Sequence, residues 1–173
     1  LSSRFAPLSY EKPKALITVK GEVLIERQIR QLKEAGIHDI AIVTGYKKEK
    51  FEYLKEKCQV TLIENPEYAT RNNNGSIYSA REWIGNTYVC SADNYFPENP
   101  FESEVEGSYY SVLYADGKTN EWCVTEDETG RITSVKVGGR DSWYMMGHTF
   151  WAEPFSKRFL EILEAEYNNP KTR

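Results

Sequence analysis

The sequence predicts an α/β fold, a mixed and mostly parallel sheet with flanking helices. Three observations carry that prediction. Short apolar runs alternate with amphipathic stretches of helical period through roughly the first half of the chain. Their short connections imply parallel neighbours joined by right-handed crossovers. From Ser108 onward the pattern changes to strands with no helix between them, which extends the sheet.

Taken in order, Ala15 to Val19 reads as an extended piece ending at the Lys20-Gly21 turn. Val23 to Ala35 places Leu24, Ile25, Ile29 and Leu32 on one helical face with charges opposite, and Gly36 supplies the stop. Asp39 to Thr44 is a buried strand closed by Gly45-Tyr46. Lys48 to Lys57 is a second amphipathic helix and Val60 to Ile63 a second buried strand. Asn72-Asn73-Asn74-Gly75 makes a loop before a helix running to about Trp83, and Thr87 to Ser91 is a third buried strand. Pro97 and Pro100 keep a helix from following it. Ser108 to Tyr114, Glu121 to Glu126, Arg131 to Val137 and Ser142 to Trp151 are strands, the middle two joined as a hairpin by Asp127-Glu128-Thr129-Gly130. Pro154 to Tyr167 is a last helix, with Phe155, Phe159, Ile162 and Leu163 on its buried face.

The 173 residues, 40% of them apolar, suffice for one packed core, so a single domain over 1–173 is expected. A net charge of -4 argues against nucleic acid as a partner, because phosphate-backbone binding shows as a basic excess. No apolar run approaches the roughly 18 residues of a membrane span, so no membrane is expected either. Cys58, Cys90 and Cys123 are odd in number and far apart, which suits buried free thiols in a reducing, cytoplasmic setting.

Chemistry concentrates at four places. The small-residue turn Leu1-Ser2-Ser3 ends in Arg4, and Pro13-Lys14 follows. Two fixed cations at that spacing suit a triphosphate lying between them; solvated surface charges are the plainer alternative. The amides of Asn73 and Asn74 can donate and accept at once, which suits a pyrimidine edge, and Gly75 admits close backbone approach. A helix cap is the alternative role for Asn74 or Ser76. Asp93 stands just past the carboxyl end of a central strand, where open parallel sheets put their ligands, and is the leading metal-ligand candidate. His148 fits a structural hydrogen bond better than acid–base work, and His38 fits the surface.

Ser3-Arg4, Pro13-Lys14, Asn73-Asn74, Ala92-Asp93-Asn94, Thr119-Asn120-Glu121-Trp122 and Gly147-His148-Thr149-Phe150-Trp151, taken in that order, resemble the bacterial CTP:phosphocholine cytidylyltransferases of the sugar-nucleotidyltransferase-like family. The similarity spans nearly the whole chain. It implies the Rossmann-like nucleotide-diphospho-sugar transferase fold, with the nucleotide-binding half at about 1–95 and the acceptor-binding half at about 96–173. The family's first strand and its glycines would precede Leu1, so the sequence is expected to be a piece of a longer chain, cut at both ends. The resemblance implies Mg²⁺-dependent transfer of CMP from CTP to phosphocholine, with small-molecule partners.

Residue roles carry over from the same resemblance. Arg4 would hold the β- and γ-phosphates, Lys14 would lie near the α-phosphate, and Asp93 would hold Mg²⁺. Leu1, Ser2, Ser3, Asn73, Asn74, Gly75 and Ser76 would complete the nucleotide site. Asn94, Glu121, Trp122, Tyr144 and Gly147 would line the acceptor site. Trp122 beside Glu121 leads that set, since a ring plus a charge suits a trimethylammonium, with Trp143 and Trp151 as further rings. The family's second acidic ligand has no matching Asp in 157–173 and is expected beyond the segment. Two alternatives remain: a sugar 1-phosphate or other phosphoalcohol as acceptor, and a catalytically silent nucleotide-sensing domain.

Overall fold

The computed structural model describes residues 7–170. After a short helix, α1 (Leu8–Glu11), and a 3₁₀ turn over Lys14–Leu16, β1 (Thr18–Val19) and β2 (Glu22–Val23) pair antiparallel. Lys20 and Gly21 both take positive φ, 50° and 87°, as the two-residue turn between such strands requires. α2 (Leu24–Glu34) follows directly and ends at Gly36, whose φ is 84°. Its inward residues Ile25, Ile29 and Leu32 pack with Ile42, Phe51 and Leu54 into the core that Phe96 and Phe101 close.

β3 (Ala41–Thr44) and β4 (Thr61–Glu64) run parallel, with Ala41 opposite Thr61 and Thr44 opposite Glu64. The helix expected between them is split into a 3₁₀ turn over Lys48–Phe51 and α3 (Tyr53–Cys58). Phe51 and Leu54, both buried, are three residues apart, a spacing that the tighter turn also serves. α4 (Asn73–Ser79) and a 3₁₀ turn over Arg81–Trp83 lead into β5 (Thr87–Cys90).

The four strands expected after Ser108 are two long ones, β6 (Tyr109–Glu126) and β7 (Ile132–Trp151), joined at Asp127-Glu128-Thr129-Gly130 as anticipated. Asp127 Oδ1 accepts from the amides of Thr129 and Arg131, and Gly130 takes φ 79°. Register shifts between Ala115 and Lys118 and between Thr119 and Trp122 bend the pair without ending it. β7 lies between β5 and β6, antiparallel to both. Among the described residues the strands thus form three sheets: β3–β4 is parallel, while β1–β2 and β5–β7–β6 are antiparallel. Parallel pairing is a smaller share than expected because the long β6–β7 hairpin supplies most of the pairing.

The closing helix, α5 (Glu153–Glu166), buries part of the face expected: Leu163 is inside and Phe159 packs half-buried on Trp151, but the buried side is turned toward Ser156. Ser156 and Leu163 are buried, as is Tyr167 just beyond, while Phe155 and Ile162 are about half exposed. The hydroxyl of Ser156 donates to Gly85 O at 2.5 Å, so a small polar residue sets how closely the helix seats.

Candidate active site

The 3₁₀ turn that carries Lys14 faces β3 and the segment that follows β5. Between them Pro13, Lys14, Ala15, Ile42, Val43, Phe51, Ala92 and Asp93 line a crevice of about 260 Å³. The Lys14 ammonium donates to Asp93 Oδ2 at 3.4 Å across 79 residues of sequence. Both groups reach solvent, at 24% and 41% side-chain exposure. A cation and a carboxylate therefore meet at a crevice mouth, where an incoming phosphate and its counter-ion can each find an opposite charge.

The Asp93 segment is fixed by its neighbours. Ser91 N donates to Gly147 O at 2.7 Å, and the Asn94 amide donates to Met146 O at 3.3 Å. Gly147 takes φ +114°, and a Cβ there would stand 3.0 Å from both Asn94 Nδ2 and Ser91 Oγ. Asn94 and Gly147, expected as acceptor ligands, both brace this turn.

The asparagine turn is built from β4 outward. Asn65, buried at the end of that strand, accepts from Glu67 N at 2.9 Å and donates to Ser76 Oγ at 3.2 Å. Its amide also lies 3.3 Å from where a Cβ on Gly75 would sit, so the glycine admits Asn65. Asn72, Asn73 and Asn74 are exposed, and among the described residues Asn72, the cap residue, makes no side-chain capping bond. Arg71 ties this turn to the end of α5. It bonds Glu67 at 2.9 Å and the Tyr167 carbonyl, Tyr167 OH donates to Glu67 at 2.5 Å, and the Tyr78 and Tyr167 rings stack 3.7 Å apart.

A family model described as the MobA-like NTP transferase domain matches residues 1–106. The chain belongs to that family. This nucleotidyltransferase is 38% identical to the choline-phosphate cytidylyltransferase of Streptococcus pneumoniae, over 96% of its own length and 73% of the relative's. It is 37% identical to the 2-aminoethylphosphonate cytidylyltransferase of Lancefieldella rimae, over 96% and 70%. Its fold matches the solved CTP:phosphocholine cytidylyltransferase of Streptococcus pneumoniae with a TM-score of 0.92, over 95% of this chain and 72% of that one.

The remaining expected site residues of the nucleotidyltransferase fall into three groups. Leu1, Ser2, Ser3 and Arg4 lie outside the described residues. Lys14 and Asp93 come together, whereas Asn73, Asn74, Gly75 and Ser76 form the first turn of α4, where a loop was expected before the helix. Glu121, Trp122 and Tyr144 share the β6–β7 hairpin, whose register shifts between Thr119 and Trp122 and again at Cys123. Tyr144 pairs with both Leu113 and Cys123, and in the neighbouring pair Tyr114 and Trp143 make ring contact at 5.3 Å. Trp122 and Trp143 are exposed, whereas Trp151 is buried against Phe155 and Phe159.

Other reactive groups are quiet. His148 is buried, shares a 2.9 Å hydrogen bond with Ser111 Oγ, and is held below its ordinary pKa by burial. Burial pushes the Cys90 thiol up to about 12, so thiolate chemistry three residues from Asp93 is ruled out near neutrality. The thiols of the described chain are free, Cys123 buried and Cys58 and Cys90 half-buried. No described helix is long and apolar enough to cross a membrane. Sequence reasoning missed Asn65, which the Asn65-Pro66 step at a strand end signals, and the polar residues Arg27, Gln28 and Gln31 on the inward side of α2.

Proposed function

We propose that this nucleotidyltransferase moves CMP from CTP to phosphocholine, releasing pyrophosphate. A phosphate oxygen of phosphocholine forms the new bond to the α-phosphorus, and the bond from that phosphorus to the bridging oxygen breaks. Pyrophosphate leaves with the bridging oxygen and the electron pair. Protein chemistry in such a transfer is positioning and charge stabilisation, which fixed cations and a carboxylate can supply. The observation that carries this reading is the approach of Lys14 to Asp93 at 3.4 Å across the crevice.

Lys14 would turn from Asp93 to the α-phosphate as nucleotide enters, its compact ammonium following charge as it develops. Arg4 would hold the outer phosphates. Asn73 and Asn74, exposed on their turn, would read the base. Asp93 offers one partly exposed carboxylate, and among the described residues no group of three or more His, Cys, Asp or Glu assembles. That donor set fits Mg²⁺, a hard cation that takes its other ligands from phosphate and water, and it does not fit a metal needing a protein cage. When bound, the ion would neutralise charge on the phosphate oxygens. A reducing cytoplasmic setting suits the free thiols.

For the acceptor, a trimethylammonium has no N–H to donate and is recognised by aromatic faces. Trp122, 57% exposed on its ribbon, supports phosphocholine, with Glu121 beside it and Tyr144 on the same hairpin. A 2-aminoethylphosphonate acceptor is the second reading, favoured by the 37% identity to the Lancefieldella rimae enzyme. Its primary ammonium would draw on Glu121 instead. Pyrophosphate release should be measured with Mg²⁺, CTP and, in turn, phosphocholine, 2-aminoethylphosphonate and a sugar 1-phosphate. Phosphocholine is expected to give the highest kcat/KM; faster release with either other acceptor reassigns the substrate, and none with any acceptor leaves a silent nucleotide-binding domain.

A further inference from the structure

The inward side of α2 is not uniformly apolar. Gln28 and Gln31 are 6% and 2% exposed, and Arg27 beside them is half-buried. All three side chains donate to main-chain carbonyls of the segment that begins at Ser91 and contains Asp93. Gln28 bonds Ser91 O at 3.1 Å, and Gln31 bonds Phe96 O at 3.2 Å and Glu98 O at 3.1 Å. Arg27 bonds Phe96 O at 2.8 Å and Pro97 O at 2.8 Å, while Glu22 holds its other side at 3.0 Å. These carbonyls belong to described residues that form neither helix nor strand, so the side chains of α2 stand in for the missing ladder.

This arrangement is poor as a stability device. Among the described residues the Oε1 of Gln31 has no partner, a burial cost that an apolar residue would avoid. What it gives is position. Ser91 lies two residues before Asp93, its carbonyl held by Gln28 from one side and its amide held by Gly147 O from the other.

We propose that Gln28 is a positioning residue for nucleotidyl transfer, fixing the main chain that carries Asp93 by holding the Ser91 carbonyl. The inference rests on the reading of Asp93 as the metal-holding carboxylate. Partners that orient a metal ligand change metal affinity or activity by roughly 10–100-fold when removed.

The test compares Gln28→Met, close in volume and lacking the donor, with Gln28→Leu, which lacks it in a different shape. Mn²⁺ is the probe, titrated by paramagnetic resonance into the enzyme–CTP complex, alongside kcat, KM for CTP, melting temperature and amide exchange at 91–95. Both variants are expected to lower the melting temperature by no more than a few degrees, to lose exchange protection, and to weaken Mn²⁺ binding and lower kcat by about tenfold or more. KM for the acceptor should stay within about twofold, a split that lost folding would not produce. Mn²⁺ affinity and kcat both within about twofold of the parent in the two variants overturn the proposal. Asp93→Asn separates the two layers. If it loses Mn²⁺ binding while the Gln28 variants do not, only the positioning inference fails; if it binds Mn²⁺ like the parent, the metal reading fails and takes this inference with it.

Discussion

Replacing Gly147 with alanine tests how tightly the Asp93 turn is built. At φ +114° an L residue is strained by about 1–3 kcal/mol. The new Cβ would also stand 3.0 Å from Asn94 Nδ2 and Ser91 Oγ, and 3.4 Å from Ser91 Cβ. Those atoms have little freedom, because Ser91 N is bonded to Gly147 O at 2.7 Å and Asn94 reaches Met146 O at 3.3 Å. Losing the Asn94 bond adds about 1 kcal/mol, for a total of about 2–4 kcal/mol. A domain with about 5–15 kcal/mol in hand stays folded under that loss, so activity remains measurable. Urea unfolding followed by tryptophan fluorescence reads the stability change, and pyrophosphate release reads kcat. We expect kcat to fall about tenfold or more, since small misplacements of reacting groups are costly. Gly107→Ala, with nothing within 4 Å of its Cβ, is the control and should stay within about 0.5 kcal/mol of the parent. A Gly147→Ala variant as stable and as active as that control would refute the reasoning.

Three further outcomes are expected. Asp93→Asn should lower turnover at least about 100-fold yet change stability by less than about 1 kcal/mol, because its pairing with Lys14 is partly solvated; near-parent turnover removes Asp93 from the chemistry. Trp122→Ala should raise KM for phosphocholine and leave KM for CTP alone, and equal losses would make the ring a packing element. Burial holds His148 below its ordinary pKa of 6.5, so the unfolded chain takes up that proton first. Stability from this group is full above about pH 6.5 and declines as pH falls below it, and His148→Gln should flatten that part of the urea-midpoint curve. An unchanged acid slope would show that other groups set it.

Much of the fold was legible because strong local signals agreed with tertiary structure. The helix expected over Val23 to Ala35 is α2, and both glycine-containing turns, Lys20-Gly21 and Asp127 to Gly130, sit where read. The four short strands fused into two because Asp116-Gly117 and Gly138-Gly139 look like strand ends but are irregularities within a ladder, with Gly117 and Gly138 at positive φ. On α5 the expected Leu163 and Phe159 face inward, but Ser156 takes the place expected of Phe155 and Ile162, because its small size and its bond to Gly85 O decide the contact. At the site, the Lys14–Asp93 approach was readable from motif order, whereas the Gln28 and Asn65 bonds to distant main chain were not. Nothing in a polar residue's own neighbourhood announces which carbonyl, 63 residues away, it will meet.

The bonds from Tyr167 to Glu67 and Arg71 couple the final helix to a segment about a hundred positions earlier in the chain. Anyone appending a tag or trimming residues near Tyr167 is therefore handling the asparagine turn by remote control. A boundary chosen for convenience there would loosen the start of α4 before it showed up as misfolding.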